Sequence, residues 1–397
     1  MNKKFLNSKI YFSVIFCVLF LMFLFYTFAL YSYYSLFLDI LFILLVIWFI
    51  ITAYKNLYED RILLIFIFIL IFFIGALIGF NLDMLRGNFA EYGAIISLII
   101  MIYIAYRSDI NISEMRYLSK LYYFLPYILL IKLLTNFSLI GNNELRFGFE
   151  NQNSFALYML LVLMNNVLCL LSEKKIIFKI IGLISLALSM IFLYFTGSRT
   201  SFIIAIIFGL SVLFMLLKKK TNKFACQATI FTGMLFPILL PLIYIALWKI
   251  LGSSNVTILG RTVFTNREHI WIQVPSKISL FLNSHYLDMD NFLYISQGAH
   301  NIYLSFAWGY GIFAFFIFMS YFLTIVYKKV GQKNKQINRV ALVAFALLFL
   351  HGSFEDIFYR NVWVIVFGFV FFMMSSKDII INNDIVLEEK EVCLEER

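Results

Sequence analysis

Nineteen consecutive residues, Ile62 to Phe80 (ILLIFIFILIFFIGALIGF), carry no charge, and a run of that length crosses the roughly 30 Å hydrocarbon layer of a bilayer as one helix. Only a helix satisfies its own amides there. The rest of the chain repeats the pattern, so that 62% of residues are hydrophobic, 14% are charged and mean hydropathy is +0.90. Such a composition excludes a soluble globular domain.

Twelve apolar spans are read in order: 10–30, 36–54, 62–80, 89–106, 118–137, 154–171, 176–195, 200–217, 224–250, 300–327, 340–354 and 357–374. The opening MNKKFLNSK runs into the first span with no small-residue cleavage site behind it, which reads as a retained signal anchor. The prediction is an all-α polytopic membrane protein, with one integral domain over residues 1–377 and a short acidic cytoplasmic tail, 378–397. Cys17, Cys169, Cys226 and Cys393 are scattered, which suggests neither a disulfide framework nor a zinc site. No P-loop or dinucleotide fingerprint appears, so neither a cofactor nor an energy source on this chain is expected.

Most of the 32 basic residues fall in the connectors that share a face with the N-terminus. Basic residues favour the cytoplasmic side of short loops, so both termini are read as cytoplasmic. The two cations are not distributed alike. Six of eleven arginines, Arg86, Arg146, Arg199, Arg261, Arg267 and Arg360, fall on the opposite face, against three of twenty-one lysines. A planar guanidinium grips phosphate or carboxylate in two places, a reason to use arginine where an anion is held. Anchoring at lipid headgroups is the plainer explanation for any single one.

The longest connector, Gly252 to Ala299, lies on that outer face and carries Arg261, Arg267, Glu268, His269, Trp271, His285, Asp288 and Asp290. Connectors of such length usually bind something. The four histidines, His269, His285, His300 and His351, all fall in outer connectors or at outer span ends. Imidazole accepts a proton at ambient pH, and His300 opens an apolar run with Asn301 beside it. Two shorter connectors join this set. GNNELRFGFENQNSFA holds Arg146, and FTGSRTSF places Ser198, Arg199 and Thr200 at a helix start, where free amides favour either an anion or a simple cap. Trp271 is the aromatic chosen to stack on a sugar ring.

FTGSRTSF, TNREHIW and HNIYLSFAWGYGIFAF, in this order and so separated, resemble the superfamily of O-antigen ligases and O-antigen and capsule polymerases. RFGFENQNSFA is similar to that family's segment in which an Asn precedes a small residue opening a helix. The likeness covers roughly residues 146–316, and its most specific piece is His-Asn followed by an apolar run with paired glycines, here Gly309 and Gly311. It implies a GT-C-like fold and a metal-independent, inverting transfer of a glycan from a polyprenyl diphosphate to a hydroxyl acceptor at the outer membrane face. Arg199 matches the arginine of the Ser-Arg-Thr turn, Arg267 the arginine before Trp271, and His300 the histidine of the His-Asn pair. The family's His-Pro and Gly-rich segment after the tryptophan is replaced here by VPSKISLFLNSHYLDMD, so His285, Asp288 and Asp290 have no counterpart in it.

The chemistry asks for these residue types. Charge builds on the departing phosphate, for which Arg199 and Arg267 are candidates, with Arg261 and Arg146 behind them. The attacking hydroxyl loses a proton, for which His300 is the candidate base and Glu268 an orienter or substitute. Asn301 and Trp271 are read as substrate contacts. The motifs leave polymerase and ligase open. A bias toward Phe, Ile, Lys, Asn and Tyr hints at an AT-rich genome, and many such bacteria lack an outer membrane, which tips the reading to a repeat-unit polymerase of a bacterial inner membrane. Expected partners are a polyprenyl diphosphate-linked oligosaccharide, membrane lipid and, through the resemblance, a chain-length regulator and a flippase; nucleic acid is not expected. A flippase or other transporter is the alternative of another class, which predicts charged or broken helices near the bilayer midplane and internal duplication.

Overall fold

The computed structural model describes residues 3–28, 30–79, 96–108, 118–135, 147, 152–217, 223–251, 257–258, 261–262, 267–274, 278, 300–330, 336–354 and 362–375. Among these the helices are α1 (Lys3–Thr27), α2 (Tyr31–Lys55), α3 (Arg61–Gly79), α4 (Ile96–Arg107), α5 (Leu125–Thr135), α6 (Gln152–Ser172), α7 (Ile176–Phe195), α8 (Arg199–Leu217), α9 (Lys223–Leu251), α10 (Arg267–Gln273), α11 (Ile302–Val330), α12 (Gln336–His351) and α13 (Val362–Ser375). All but the short α10 lie on the apolar runs of the sequence. A two-residue antiparallel pair, Thr257–Ile258 with Arg261–Thr262, precedes α10.

Helix α6 lies inside the bundle, with 78% of its apolar window buried against 28% for α7 and 33% for α8, and α13 is buried along Val364–Met373 as well. The outward surface is apolar: Ile62, Phe72, Ile176 and Leu217 are each at least 65% exposed. Water would not tolerate so continuous an apolar face, whereas lipid requires one. With four helices long and apolar enough to cross a bilayer among the described residues, the fold is that of an α-helical membrane protein.

Two buried asparagines of α6 are bonded to neighbouring segments. Asn166 Nδ2 donates to Ser185 Oγ of α7 at 2.9 Å, and Asn165 Nδ2 to the Ser119 carbonyl at 3.2 Å. Between helices in lipid, such bonds supply direction that apolar contact lacks. Small residues supply closeness: a Cβ on Gly233 of α9 would meet the Ala346 carbonyl oxygen of α12 at 2.8 Å.

Two spans differ from expectation. The run 118–137 is not one helix; a 3-10 turn, Lys120–Tyr123, precedes α5. Pro126 lacks an N–H and disfavours helical geometry in the residue before it, so the helix restarts there. Helix α11 is interrupted at Gly311, whose φ of 84° and ψ of 164° belong to a region essentially reserved for glycine. The proposed tail, residues 378–397, lies outside the described residues.

Two ionic clasps hold the end of the bundle away from the site described next. Lys120 pairs with buried Glu173, whose Oε1 also accepts the backbone N–H groups of Lys174 and Lys175 at 2.9 Å each. Arg107 of α4 pairs with Asp60, which accepts the Tyr103 hydroxyl at 2.9 Å as well. Burial raises the Glu173 carboxyl, but the Lys120 ammonium and the two N–H groups outweigh it and hold it at about 2.

Candidate functional site: a polar junction at the starts of α8 and α11

Helix α7 stops at Thr196 because Gly197 turns left-handed, φ 69°, the usual end signal of a helix. The Thr196 and Gly197 N–H groups close onto the Phe192 and Tyr194 carbonyls at 3.0 and 3.2 Å. One residue later α8 begins, with the Ser198 carbonyl accepting the Phe202 N–H at 3.2 Å. Ser198 thereby caps α8, and its Oγ donates to Ser201 Oγ at 3.3 Å, an arrangement at the positions of a capping box. Arg199 is exposed on the first helical turn.

The second motif is more strongly constrained. His300 is half-buried and left-handed, φ 49°, an uncommon state for a residue with a side chain. Asn301, wholly buried, starts α11: its Oδ1 accepts the Tyr303 and Leu304 N–H groups at 3.0 and 3.1 Å. Its Nδ2 donates to the Pro237 carbonyl of α9 at 2.7 Å and to the Ser353 carbonyl at 3.3 Å. The first of these has a simple origin. Pro241 has no N–H to offer the carbonyl four residues earlier, which is that of Pro237. Asn301 supplies the missing donor. Both ends of its amide are thus engaged by protein, so the residue read as a substrate contact is found as a clamp between α9, α11 and the turn after α12.

That turn, His351 to Phe354, is where the separate motifs meet. His351 Nε2 lies 2.8 Å from Ser201 Oγ on α8, and the side chain is 1% exposed. The Gly352 carbonyl accepts the Ile302 N–H at 2.9 Å, and the Ser353 carbonyl accepts Asn301. The Phe354 ring lies 6.0 Å from the guanidinium carbon of Arg267. A Cβ on Gly352 would meet Ile302 at 3.2 Å, so the turn sits closely on the start of α11.

Arg267 is half-buried at the first residue of α10, and Glu268 beside it is buried. Trp271, at 1% exposure, packs with Leu240, Tyr244 and Trp308, its ring edge-on to Tyr244 at 5.1 Å. It docks α10 onto α9 and α11 rather than presenting a face to a sugar. Arg261 lies on the second short strand, paired with Ile258. Arg146, His285, Asp288 and Asp290 lie outside the described residues. Phe147, next to Arg146, is buried and left-handed, φ 47°, against Phe155 and Phe192 near the end of α7.

The charge pattern suits an anion. Arg199 stands at a helix start, the positive end of the dipole, and neither α8 nor α11 has an acidic residue in its first turn. Among the described residues no group of three His, Cys, Asp or Glu side chains is arranged to hold a metal ion.

Residue patterns pointed to Arg199, Arg267 and His300 but passed over Ser201, Gly352, Ser353 and Pro241. The available signal was the HGSF turn, small and polar between two apolar runs. No protein-family model matches the chain, and no curated protein matches it. Fold and site together define the class: an α-helical membrane protein in which the starts of α8, α10 and α11 dock on one interhelical turn.

Proposed function

We propose that the chain is a membrane glycosyltransferase, an oligosaccharide repeat-unit polymerase that moves a glycan from a polyprenyl diphosphate donor to a sugar hydroxyl on a lipid-linked acceptor. The observation that carries this reading is the common docking of the Arg199 turn, the His300 pivot and the Arg267 helix on residues 351–354. In this reading twelve spans cross a bacterial inner membrane in a GT-C-like arrangement, both termini are cytoplasmic, and the 252–299 connector faces outward. Transfer is inverting and metal-independent, as the sequence resemblance implies.

The roles follow from charge and reach. Arg199 and Arg267 hold the diphosphate and stabilise the charge that grows on it as the sugar–phosphate bond breaks. His300 accepts the proton of the attacking hydroxyl. Arg261 and Arg146 are the further donor contacts in this reading. Asn301 and Trp271 set the frame, and Glu268 is buried beside Arg267. A chain-length regulator and a flippase are the proposed partners.

The test is to replace Arg199, Arg267 and His300 singly by alanine, confirm equal membrane levels, and measure glycan length in cells lacking the native copy. Polymer formation is expected to fall by ~10²–10³-fold for each arginine and by ~10²–10⁴-fold for His300→Ala. Normal polymer in all three removes the proposed site.

A transporter of lipid-linked oligosaccharide is the second reading, favoured by two observations: α11 is broken at Gly311, and α9 carries two prolines beside the polar junction. A transporter keeps working after His300→Ala, whereas the polymerase stops.

A further inference from the structure

His351 has no part in the chemistry above, yet it is the most buried of the described histidines and the link between two motifs. Its Nε2 and Ser201 Oγ are 2.8 Å apart, and Ser201 in turn accepts the hydroxyl of Ser198, the residue before Arg199. In the same turn, the next two carbonyls hold Ile302 and Asn301, the residues after His300. A run of four residues therefore fastens the start of α8 on one side and the start of α11 on the other.

We propose that His351 is a positioning residue of this site: through Ser201 its ring fixes the Ser198–Arg199 helix start relative to the His300 pivot. The inference rests on the polymerase reading of Arg199 and His300. At 1% exposure, with Nε2 facing Ser201, the ring does not touch substrate. It acts on geometry. The surrounding contacts among α6, α8, α12 and α13 are apolar, and apolar contact holds distance without fixing rotation. A hydrogen bond between two buried side chains adds the missing direction. Transfer chemistry is sensitive to this, because a displacement near 1 Å costs on the order of 10²-fold in rate.

Four variants test it: His351→Phe, which keeps ring volume without a polar atom; His351→Gln, whose amide nitrogen reaches the Nε2 position; Ser201→Ala; and the double variant Ser201→Ala/His351→Phe. The probe is the mixture of lipid-linked repeat units extracted from a strain lacking this chain, added to membranes of each variant. His351→Phe and Ser201→Ala are expected to lower kcat by ~10–100-fold with KM moved less than about threefold. The double variant is expected to be no slower than the slower single one, since both remove one bond. His351→Gln is expected to recover most of the rate.

Wild-type rates in His351→Phe and Ser201→Ala, with Arg199→Ala and His300→Ala inactive, overturn the positioning role and leave the polymerase reading standing. Wild-type rates in Arg199→Ala and His300→Ala as well overturn that reading first. Equal loss in His351→Gln and His351→Phe, or a loss confined to membrane abundance, also overturns the proposal by assigning His351 to packing alone. If His351→Phe does not accumulate, Ser201→Ala decides, because a serine-to-alanine change suits a helix and removes the same bond.

Discussion

At the scale of single residues, the left-handed backbone of His300 and the clamp of Asn301 separate chemistry from architecture. A side chain at φ 49° carries strain that glycine does not. His300→Gly is therefore expected to match or slightly exceed the native protein in thermal stability in detergent while losing polymer formation. Asn301→Ala is expected to do the reverse in kind. It uncaps α11 and leaves the Pro237 carbonyl without its donor, costing ~2–4 kcal/mol and lowering the amount in the membrane. Melting curves and glycan profiles of the two variants check both. The places of Arg199 and His300 at the starts of apolar runs were legible in the sequence because charge and hydropathy change abruptly there. The role of Asn301 was not, because it depends on a proline sixty residues away that leaves a carbonyl open.

At the scale of elements, the helices were legible in long charge-free runs and the turn 196–198 in its Gly-Ser pair. The breaks were less so. A 3-10 start before Pro126 and a glycine break in α11 interrupt runs that hydropathy reads as continuous, since lipid-facing composition continues across both. Gly311 sits where a Cβ is strained whatever space surrounds it. Gly311→Ala is expected to straighten or destabilise α11 by ~1–3 kcal/mol and to shift the pivot at its start. Reduced melting temperature together with reduced glycan length is the expected result; an unchanged protein would remove the break from the account.

At the scale of the molecule, the polar junction and the Lys120–Glu173 clasp lie at opposite ends of α7, about 30 Å apart along the helix axis. Glu173 is held at about 2, below its ordinary value of 4.5. A carboxyl lowered by folding stabilises the fold fully above its unfolded value and stops doing so as pH falls through its folded value. The native protein is therefore expected to lose stability between about pH 4.5 and 2. Glu173→Gln, already weaker at neutral pH, should show less of that loss when melting is followed across the range. The distribution of basic residues put Lys120 on the face of the N-terminus, but nothing in the sequence pointed to its contact with Glu173, because pairing across connectors has no local signature.

The most direct test of the central claim is an experimentally determined structure of the full chain in lipid nanodiscs with undecaprenyl diphosphate added. The account predicts diphosphate density within hydrogen-bond distance of Arg199 and Arg267, beside His300 and the 351–354 turn. Density held instead at the Lys120–Glu173 end, or by residues remote from that turn, would contradict it.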